Sequence, residues 1–263
     1  MSNIDRRTYL KSVGGTGVAL TLAGCTSLTG GGGDAGTITP GTASGFPPFE
    51  FIDESGDLVG FDIDLLSAVV EETDYELGSW EDLEFGQLIT SLDNGNIDVI
   101  AAAMTINDDR DETIDFSDPY YDANQAVLVR ENGSFQPEGR EDLSDRPIGA
   151  QTGTTGEGEV DSLVEDGIIS GGQKSTYENY VLAVQDLVNG NVDAVIVDTP
   201  VAETFVANRS VVTAFTIQTG EQYGFGVPEG DSDLQEALNS GLATVQDNGT
   251  YADLTEEWFA SGE

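Results

Sequence analysis

Histidine is absent from this 263-residue chain, cysteine occurs once, and lysine and arginine together number 9 against 49 aspartates and glutamates. The single cysteine excludes a disulfide bond within the chain. The lack of histidine removes the side chain that most often acts as a general base or a metal ligand near neutral pH. The formal net charge of −40 opposes contact with phosphate backbones, so the composition argues against a nucleic-acid-binding function.

The excess of acidic residues indicates a protein that folds in concentrated salt. At ordinary ionic strength this charge would oppose compaction, whereas molar salt shortens the Debye length to about 3 Å and screens most of the repulsion. An acidic disordered chain is the alternative, but 38% of the residues are hydrophobic and they fall in periodic segments. We therefore expect a folded, halophilic protein.

The first residues predict export and a lipid anchor. Arg6 and Arg7 precede an apolar run over residues 13–23, which is too short to span a bilayer and is typical of a twin-arginine signal peptide. The run ends in Leu-Ala-Gly-Cys, and a tract rich in Gly, Ser and Thr follows Cys25. We expect residues 1–24 to be removed, Cys25 to carry the lipid and residues 25–36 to form a flexible tether. A buried structural cysteine is the alternative.

Export and anchoring would place the mature chain outside the cytoplasm, on the outer face of the cell membrane. Loss of the signal peptide would also remove three of the basic residues and one aspartate, which leaves 6 basic and 48 acidic residues and a net charge of −42.

The rest of the chain predicts an α/β fold with an internal repeat. Short β-branched runs alternate with amphipathic helical patterns, as in layered folds with mostly parallel strands. The segment 92–100, which reads LDNGNIDVI, recurs at 187–195 as LVNGNVDAV. Each copy predicts a helix that ends at a left-handed glycine, followed by a buried strand. Two similar lobes are expected, unless the repeat is a coincidence of a common helix-to-strand turn.

Four motifs carry a resemblance to a known family. They are GTASGFPPFEF at 41–51, GFDIDL at 60–65, DFSDPYY at 115–121, and NGTY at 248–251 leading to Trp258 and Phe259. In this order the motifs resemble the family 3 extracellular solute-binding proteins, which bind polar amino acids for ABC transporters. The resemblance covers nearly all of the chain after the tether.

The resemblance implies a bilobed periplasmic-binding-protein fold, with two α/β lobes joined by a two-crossing hinge that closes around a ligand. Lobe 1 would consist of residues 37–122 plus 224–263, and lobe 2 of residues 127–218. The ligand site would lie between the lobes, at the carboxyl ends of the strands.

Arg110 matches the family's carboxylate-binding arginine. It follows an apolar segment, 99–103, that is predicted to be a strand, and a guanidinium can hold both oxygens of a carboxylate at once. Its acidic neighbours in the sequence allow a surface ion pair as the alternative. Thr105 and the backbone N–H groups from Ala103 onward match further ligand-holding positions of the family.

The second lobe would supply Thr154 and Asp198. Thr154 lies in a Gly/Thr loop before a predicted helix, where free N–H groups attract carboxylates, although a capping box is the alternative. Asp198 ends a buried strand and matches the family's ammonium-binding aspartate. It could instead cap the next helix, but Thr199 can serve as that cap with Pro200 at the first helical position.

Phe46 and Phe85 match the two rings that enclose the ligand's side chain in relatives, although residues of this kind are usually core. Ala43 occupies a place where binders of cationic amino acids often carry an acid. This departure argues against lysine, arginine or histidine as the preferred ligand.

The expected function is therefore capture of an amino acid for an ABC importer. The expected partners are that ligand, the permease subunits and the membrane, the last through the lipid at Cys25. A monomer without cofactor or metal and without catalytic activity is expected. A dehydratase-like enzyme of the same fold and a ligand-sensing module are the alternatives.

Overall fold

The computed structural model describes residues 36–259. The predicted signal peptide at 1–24, the predicted lipid attachment at Cys25, the tether up to residue 35 and the last four residues lie outside the described residues. Among the described residues, no helix combines the length and apolar character needed to cross a membrane.

Eight α-helices and fourteen strands make up the described part of the chain. The helices are α1 Phe61–Glu71, α2 Leu88–Asp93, α3 Asp108–Asp111, α4 Thr155–Glu165, α5 Tyr180–Asn189, α6 Thr199–Asn208, α7 Ser232–Asp247 and α8 Thr250–Phe259. The strands are β1 Thr37–Ile38, β2 Pro40–Thr42, β3 Phe51–Ile52, β4 Leu58–Val59, β5 Glu76–Leu77, β6 Glu81–Asp82, β7 Val99–Ile100, β8 Ile114–Phe116, β9 Tyr121–Arg130, β10 Ile148–Gln151, β11 Lys174–Tyr177, β12 Ala194–Asp198, β13 Val211–Tyr223 and β14 Gly226–Pro228.

Two five-stranded sheets organise these elements. The first sheet has the order β6-β2-β7-β14-β8, and the second has the order β11-β10-β12-β9-β13. In the first sheet, β6, β2 and β7 pair parallel, and β14 pairs antiparallel with both β7 and β8. In the second sheet, β11, β10 and β12 pair parallel, and β9 pairs antiparallel with both β12 and β13. Helices α1, α7 and α8 pack together, and α1 also packs on β4 and β5. Helices α4 and α5 pack on β10 and β12 of the second sheet.

The internal repeat supplies one strand to each sheet. The first copy ends in β7 and the second in β12, so the two copies serve different sheets. The predicted left-handed glycines are confirmed, because Gly95 has a φ of 68° and Gly190 a φ of 83°. The predicted strand at 99–103 was too long. It ends after Ile100, and Ala103 adopts a positive φ of 45° that is incompatible with a strand.

Strands β9 and β13 connect the two sheets. The chain leaves the first sheet after β8 and enters the second in β9, and it returns from β13 to β14. The two long strands pair antiparallel from Tyr121 and Tyr223 to Arg130 and Val211. The rings of Tyr121 and Tyr223 both contact Phe49, with centroid distances of 5.1 and 5.3 Å. This aromatic cluster attaches the crossing strands to the first half of the fold.

Candidate functional site

A cavity lies between the two sheets, and residues from both sides line it. The space between its lining atoms is about 290 Å³, part of which is open to solvent. It brings together all seven residues predicted for ligand contact: Phe46, Phe85, Ala103, Thr105, Arg110, Thr154 and Asp198. Ala43, Glu50, Ala102, Gln151 and Thr155 complete the lining.

Arg110 is buried in this cavity rather than paired at the surface. It lies in the short helix α3, whose first turn is capped by the side chain of Asn107, which accepts from the Arg110 N–H at 3.0 Å. The side chain is only 9% exposed, and the described residues place no carboxylate in an ion pair with it. Arg110 therefore does not form the surface ion pair that its acidic neighbours in the sequence allowed.

The guanidinium of Arg110 contacts both sides of the cavity. Nη1 donates to the carbonyl of Thr105 at 2.6 Å, and Nη2 donates to the carbonyl of Gly153, on the opposite side, at 3.1 Å. The ring centroid of Phe85 lies 5.3 Å from Cζ, within the range of a cation–π contact. Burial lowers the pKa of the group and nearby Asp198 raises it, but an arginine remains charged. Three of its five N–H groups remain for a bound anion.

Ala103 lines the cavity with a positive φ, and a buried aspartate holds this conformation by accepting from its N–H. The Ala103 N–H donates to Asp62 Oδ2 at 2.7 Å, and Tyr120 Oη donates to the same oxygen at 2.6 Å. Burial raises the pKa of Asp62 to about 7, although the two hydrogen bonds lower it. Asp62 belongs to the GFDIDL motif, but its contact with residue 103 depends on the tertiary fold and was missed from the sequence.

Thr154 begins the helix on the other side of the cavity. Its Oγ1 accepts from the Glu157 N–H at 3.2 Å, and Glu157 Oε2 accepts from the Gly153 N–H at 2.6 Å. The capping alternative is thus present in the structure, while Thr154 also lines the cavity. The next residue, Thr155, donates through Oγ1 to Thr105 Oγ1 at 3.1 Å and so links the two sides directly.

Asp198 ends β12 with its carboxylate in the cavity. It occupies the N-cap position of α6, so the expectation that Thr199 is the cap with Pro200 first in the helix was wrong by one residue. The reason is local: Asp198 has non-helical backbone angles, yet its side chain makes no capping hydrogen bond. Instead Oδ1 accepts from Tyr223 Oη at 2.6 Å.

The environment of Asp198 disfavours its charge. Burial raises its pKa to about 7, the nearby carboxylate of Glu221 adds to this, and hydrogen bonds from Tyr223 and Gln125 lower it. Glu221 lies on β13 and was not predicted. Its carboxylate accepts from Thr105 Oγ1 at 2.8 Å, Gln125 Nε2 at 2.9 Å and Thr219 Oγ1 at 2.6 Å.

Glu50 is a third acid whose role could not be identified from the sequence. It is 1% exposed and lines the cavity, and its Oε2 has no hydrogen-bond partner among the described residues. Burial raises its pKa well above the usual range, and the charges of Asp62, Asp198 and Asp82 add to this. Its only sequence signal is its place after the apolar residues 46–49, where the chain turns back so that the Phe46 N–H donates to the Glu50 carbonyl at 2.9 Å.

The aromatic residues complete the cavity. The ring centroid of Phe46 lies 5.6 Å from that of Tyr180, which belongs to the opposite side of the cavity. The ring of Phe85 faces the guanidinium of Arg110. The cavity therefore offers a guanidinium, carboxylates and aromatic surfaces within one enclosed space. These are the groups that a small zwitterionic ligand requires.

The fold consists of two α/β halves that are joined by two crossing strands and enclose a polar cavity between them. This arrangement defines the class of bilobed ligand-binding proteins. Within that class, the chain belongs to the bacterial extracellular solute-binding proteins, family 3, whose sequence pattern matches residues 38–261. The predicted family and bilobed α/β fold are confirmed.

Relatives agree with this assignment. The chain is 31% identical to the probable histidine-binding protein of Neisseria gonorrhoeae, over 82% of this chain and 80% of the relative. It is 32% identical to the putative ABC transporter arginine-binding protein 2 of Escherichia coli, over 86% and 91%. Because such relatives are amino-acid-binding proteins of ABC transporters, the predicted function of an extracytoplasmic substrate-binding protein is confirmed at that level.

Solved structures give the same result. A mutant of the arginine-binding protein ArgBP from T. maritima superposes with a TM-score of 0.80 at 39% identity, covering 86% of this chain and 96% of that one. An ancestral amino-acid-binding protein described as a precursor of cyclohexadienyl dehydratase has a TM-score of 0.77 at 32% identity, covering 85% and 95%. The family and these relatives are binding proteins, so the dehydratase-like alternative fits less well than a binding function.

Proposed function

We propose that this chain captures an amino acid with a positively charged side chain, arginine being the first candidate, for an ABC importer. Arg110 would bind the α-carboxylate, Asp198 the α-ammonium, and Glu50 the charged end of the side chain. Phe46 and Phe85 would contact its apolar part, while Ala103, Thr105 and Thr154 complete the site. The observation that carries this proposal is the buried carboxylate of Glu50, which lines the cavity with an unpartnered oxygen.

The charge inside the cavity supports a cationic ligand. A zwitterion would neutralise Arg110 and Asp198 and leave the carboxylates of Glu50 and Glu221 buried without an opposite charge. Burying a carboxylate without a partner is costly, so an additional positive charge on the ligand would stabilise the complex.

The alanine at position 43 does not remove this preference. An acid at that position would reach the cavity from the first motif, and Glu50 reaches the same cavity from the end of that motif. The printed names of several relatives refer to arginine or histidine, which favours the same ligand class.

The test compares arginine with citrulline, which has nearly the same shape but no charge on its side chain. Calorimetric titration of the unaltered protein should give at least tenfold tighter binding of arginine. In Glu50→Gln this preference should vanish, whereas Glu54→Gln, an equal charge change at an exposed position, should keep it. Equal binding of both ligands by the unaltered protein would mean that Glu50 is protonated and accepts a neutral side chain.

The location and state of the mature protein are part of this proposal. The protein works outside the cytoplasm, and we expect it to be held there as a monomer by a lipid on Cys25 and to release its ligand unchanged. Cys25→Ser should move the protein from the membrane fraction to the medium. Retention of the variant in the membrane would place the anchor elsewhere in the chain.

A further inference from the structure

An apolar groove crosses the outer rim of the cavity. Pro47, Pro48 and Ile52 line it on one side, and Val181, Leu182 and Arg209 line it on the other. We call this surface the rim groove. Ile52 is 49% exposed, Leu182 47% and Val181 39%, although residues of this type are usually buried. None of the groove-lining residues belongs to the ligand cavity described above.

The two sides of the rim groove come from the two halves of the fold. The two sides meet at Gly45, which packs so closely on Asn179 that a Cβ atom added to the glycine would lie 3.0 Å from Cβ of Asn179. They also meet where the ring of Phe46 contacts the ring of Tyr180. Rotation of the halves away from each other about β9 and β13 would separate these contacts. The groove therefore exists only in the closed arrangement of the protein.

The charge of the rim groove differs from that of the rest of the chain. No residue that lines it is acidic, although the chain has 49 acidic residues. Its one charged residue is Arg209, which is exposed and forms no salt bridge within residues 36–259. By contrast, Arg130, Arg140, Arg146 and Lys174 all pair with acids.

An unpaired cation beside exposed apolar side chains fits a partner surface that carries apolar side chains next to a carboxylate. A second copy of this chain fits poorly if it presents the same groove, because no acidic residue among the described lining residues would face Arg209. The importer's permease is the partner that must distinguish the closed, loaded protein from the open one. A surface built from both halves allows that distinction by shape alone.

We propose that the rim groove is the docking surface for the extracytoplasmic face of the permease, with a permease carboxylate facing Arg209. This inference rests on the proposed function in one respect, namely that the chain serves an ABC importer. It does not depend on which amino acid is bound.

The test uses single substitutions on both sides of the rim groove, with a matched control on α5. Leu182→Glu places a charge in the groove, and Val188→Glu is the matched control, since Val188 is also on α5 and is 37% exposed but lies outside the groove. Ile52→Glu tests the opposite side. Each variant is produced as the full chain in cells that contain its importer, and uptake of a radiolabelled mixture of the proteinogenic amino acids is measured. Equilibrium dialysis of the purified variants with the same mixture reports ligand binding separately.

Leu182→Glu and Ile52→Glu should each lower uptake at least tenfold while dialysis stays within about twofold of the unaltered protein. Val188→Glu should change neither. Arg209→Glu, which leaves the apolar side chains in place, should raise the concentration of loaded protein that half-saturates the importer's ATP hydrolysis by at least threefold.

Normal uptake by both groove variants would overturn the proposal. So would a ligand-dependent dimer in sedimentation that Leu182→Glu abolishes, because the groove would then bind a second copy. If dialysis detects no binding by the unaltered protein, the proposed function fails, whereas normal binding together with normal uptake by both groove variants overturns only the docking surface.

Discussion

Replacing Arg110 by alanine removes the only cation among the described residues that line the cavity. In the structure this guanidinium is nearly buried and donates to carbonyls on both sides of the cavity, those of Thr105 and Gly153. The substitution should therefore affect two processes, the pairing of the ligand's carboxylate and the contact between the two halves of the fold.

The size of the effect follows from the burial. A ligand carboxylate left without its buried partner costs about 3–5 kcal/mol, which corresponds to roughly a hundred- to several-thousand-fold in affinity. Arg110→Lys keeps a charge but loses the planar fork, so at least one charge-assisted hydrogen bond of about 1.5–3 kcal/mol should be lost, or roughly ten- to a hundredfold. The melting temperature without ligand should change little, because the two carbonyls can bind water when the cavity opens.

Calorimetric titration with arginine and with agmatine, its decarboxylated analogue, measures this effect directly. The unaltered protein should strongly prefer arginine, and Arg110→Ala should bind the two with similar affinity. Arg146→Ala is the control, because Arg146 pairs with Asp193 outside the cavity. Binding of arginine by Arg110→Ala within about threefold of the unaltered protein would refute the assignment of the carboxylate site.

Four further expectations concern pH, backbone conformation and salt. Because burial raises the pKa of Asp198 to about 7 and the ammonium needs the ionised carboxylate, Asp198 should contribute a rise in affinity between pH 6 and 8 of at most about tenfold per unit. Asp198→Asn should reduce the rise, and the part that remains should come from Glu50, whose pKa is also raised. The raised pKa of Asp198 means that the unfolded state loses its proton first, so the ligand-free protein should lose stability in thermal melts as pH rises from about 4 to about 7, less so in Asp198→Asn. Asp62→Ala should weaken binding about tenfold, because Ala103 would lose the hydrogen bond that holds it in a left-handed conformation, and that conformation costs a residue other than glycine about 1–2 kcal/mol. A second change, Ala103→Gly, should recover part of the loss in the same titration, because glycine adopts this conformation without that cost. The melting temperature should fall between 3 M and 0.1 M salt because the repulsion then extends over about 10 Å, and an unchanged value would contradict a halophilic fold.

Motif order and strand ends were sufficient to predict much of the cavity. The resemblance to the family singled out Arg110 and Asp198, and both follow apolar runs that belong to the two copies of the repeat. Asp198 ends β12, whereas Arg110 lies in α3, several residues after the end of β7. The helix start at Thr154 was similarly visible as a Gly/Thr loop before an acidic residue. Such features are local in the sequence, so they do not require knowledge of the tertiary contacts.

Glu50, Asp62 and Glu221 could not be identified in that way, and the reason is composition. In a chain with 49 acidic residues, one more acid has no distinguishing sequence signal. These three acids differ from the others because they are buried. Their burial results from contacts between residues that are far apart in the sequence: Asp62 and Ala103 are 41 positions apart, and Glu221 and Thr105 are 116 positions apart. The strand break at Ala103 was missed for the same reason, since the aspartate that stabilises it comes from α1.

These buried acids also bear on why a ligand should drive closure. Among the described residues that line the closed cavity, Glu50 and Asp198 share the space with one cation, Arg110, and Glu221 lies near Asp198. Ionising these acids in an empty closed cavity is therefore costly, which is why burial raises the pKa of Glu50 and of Asp198. Direct contacts between the halves, such as Arg110 to Gly153, offset only part of this cost, because each neutral acceptor replaces a water molecule of similar strength. An amino acid with two positive groups and one negative group adds the missing positive charge and binds the remaining donors of Arg110. The ligand then stabilises the closed state far more than the open one, which is the condition for a population shift upon binding.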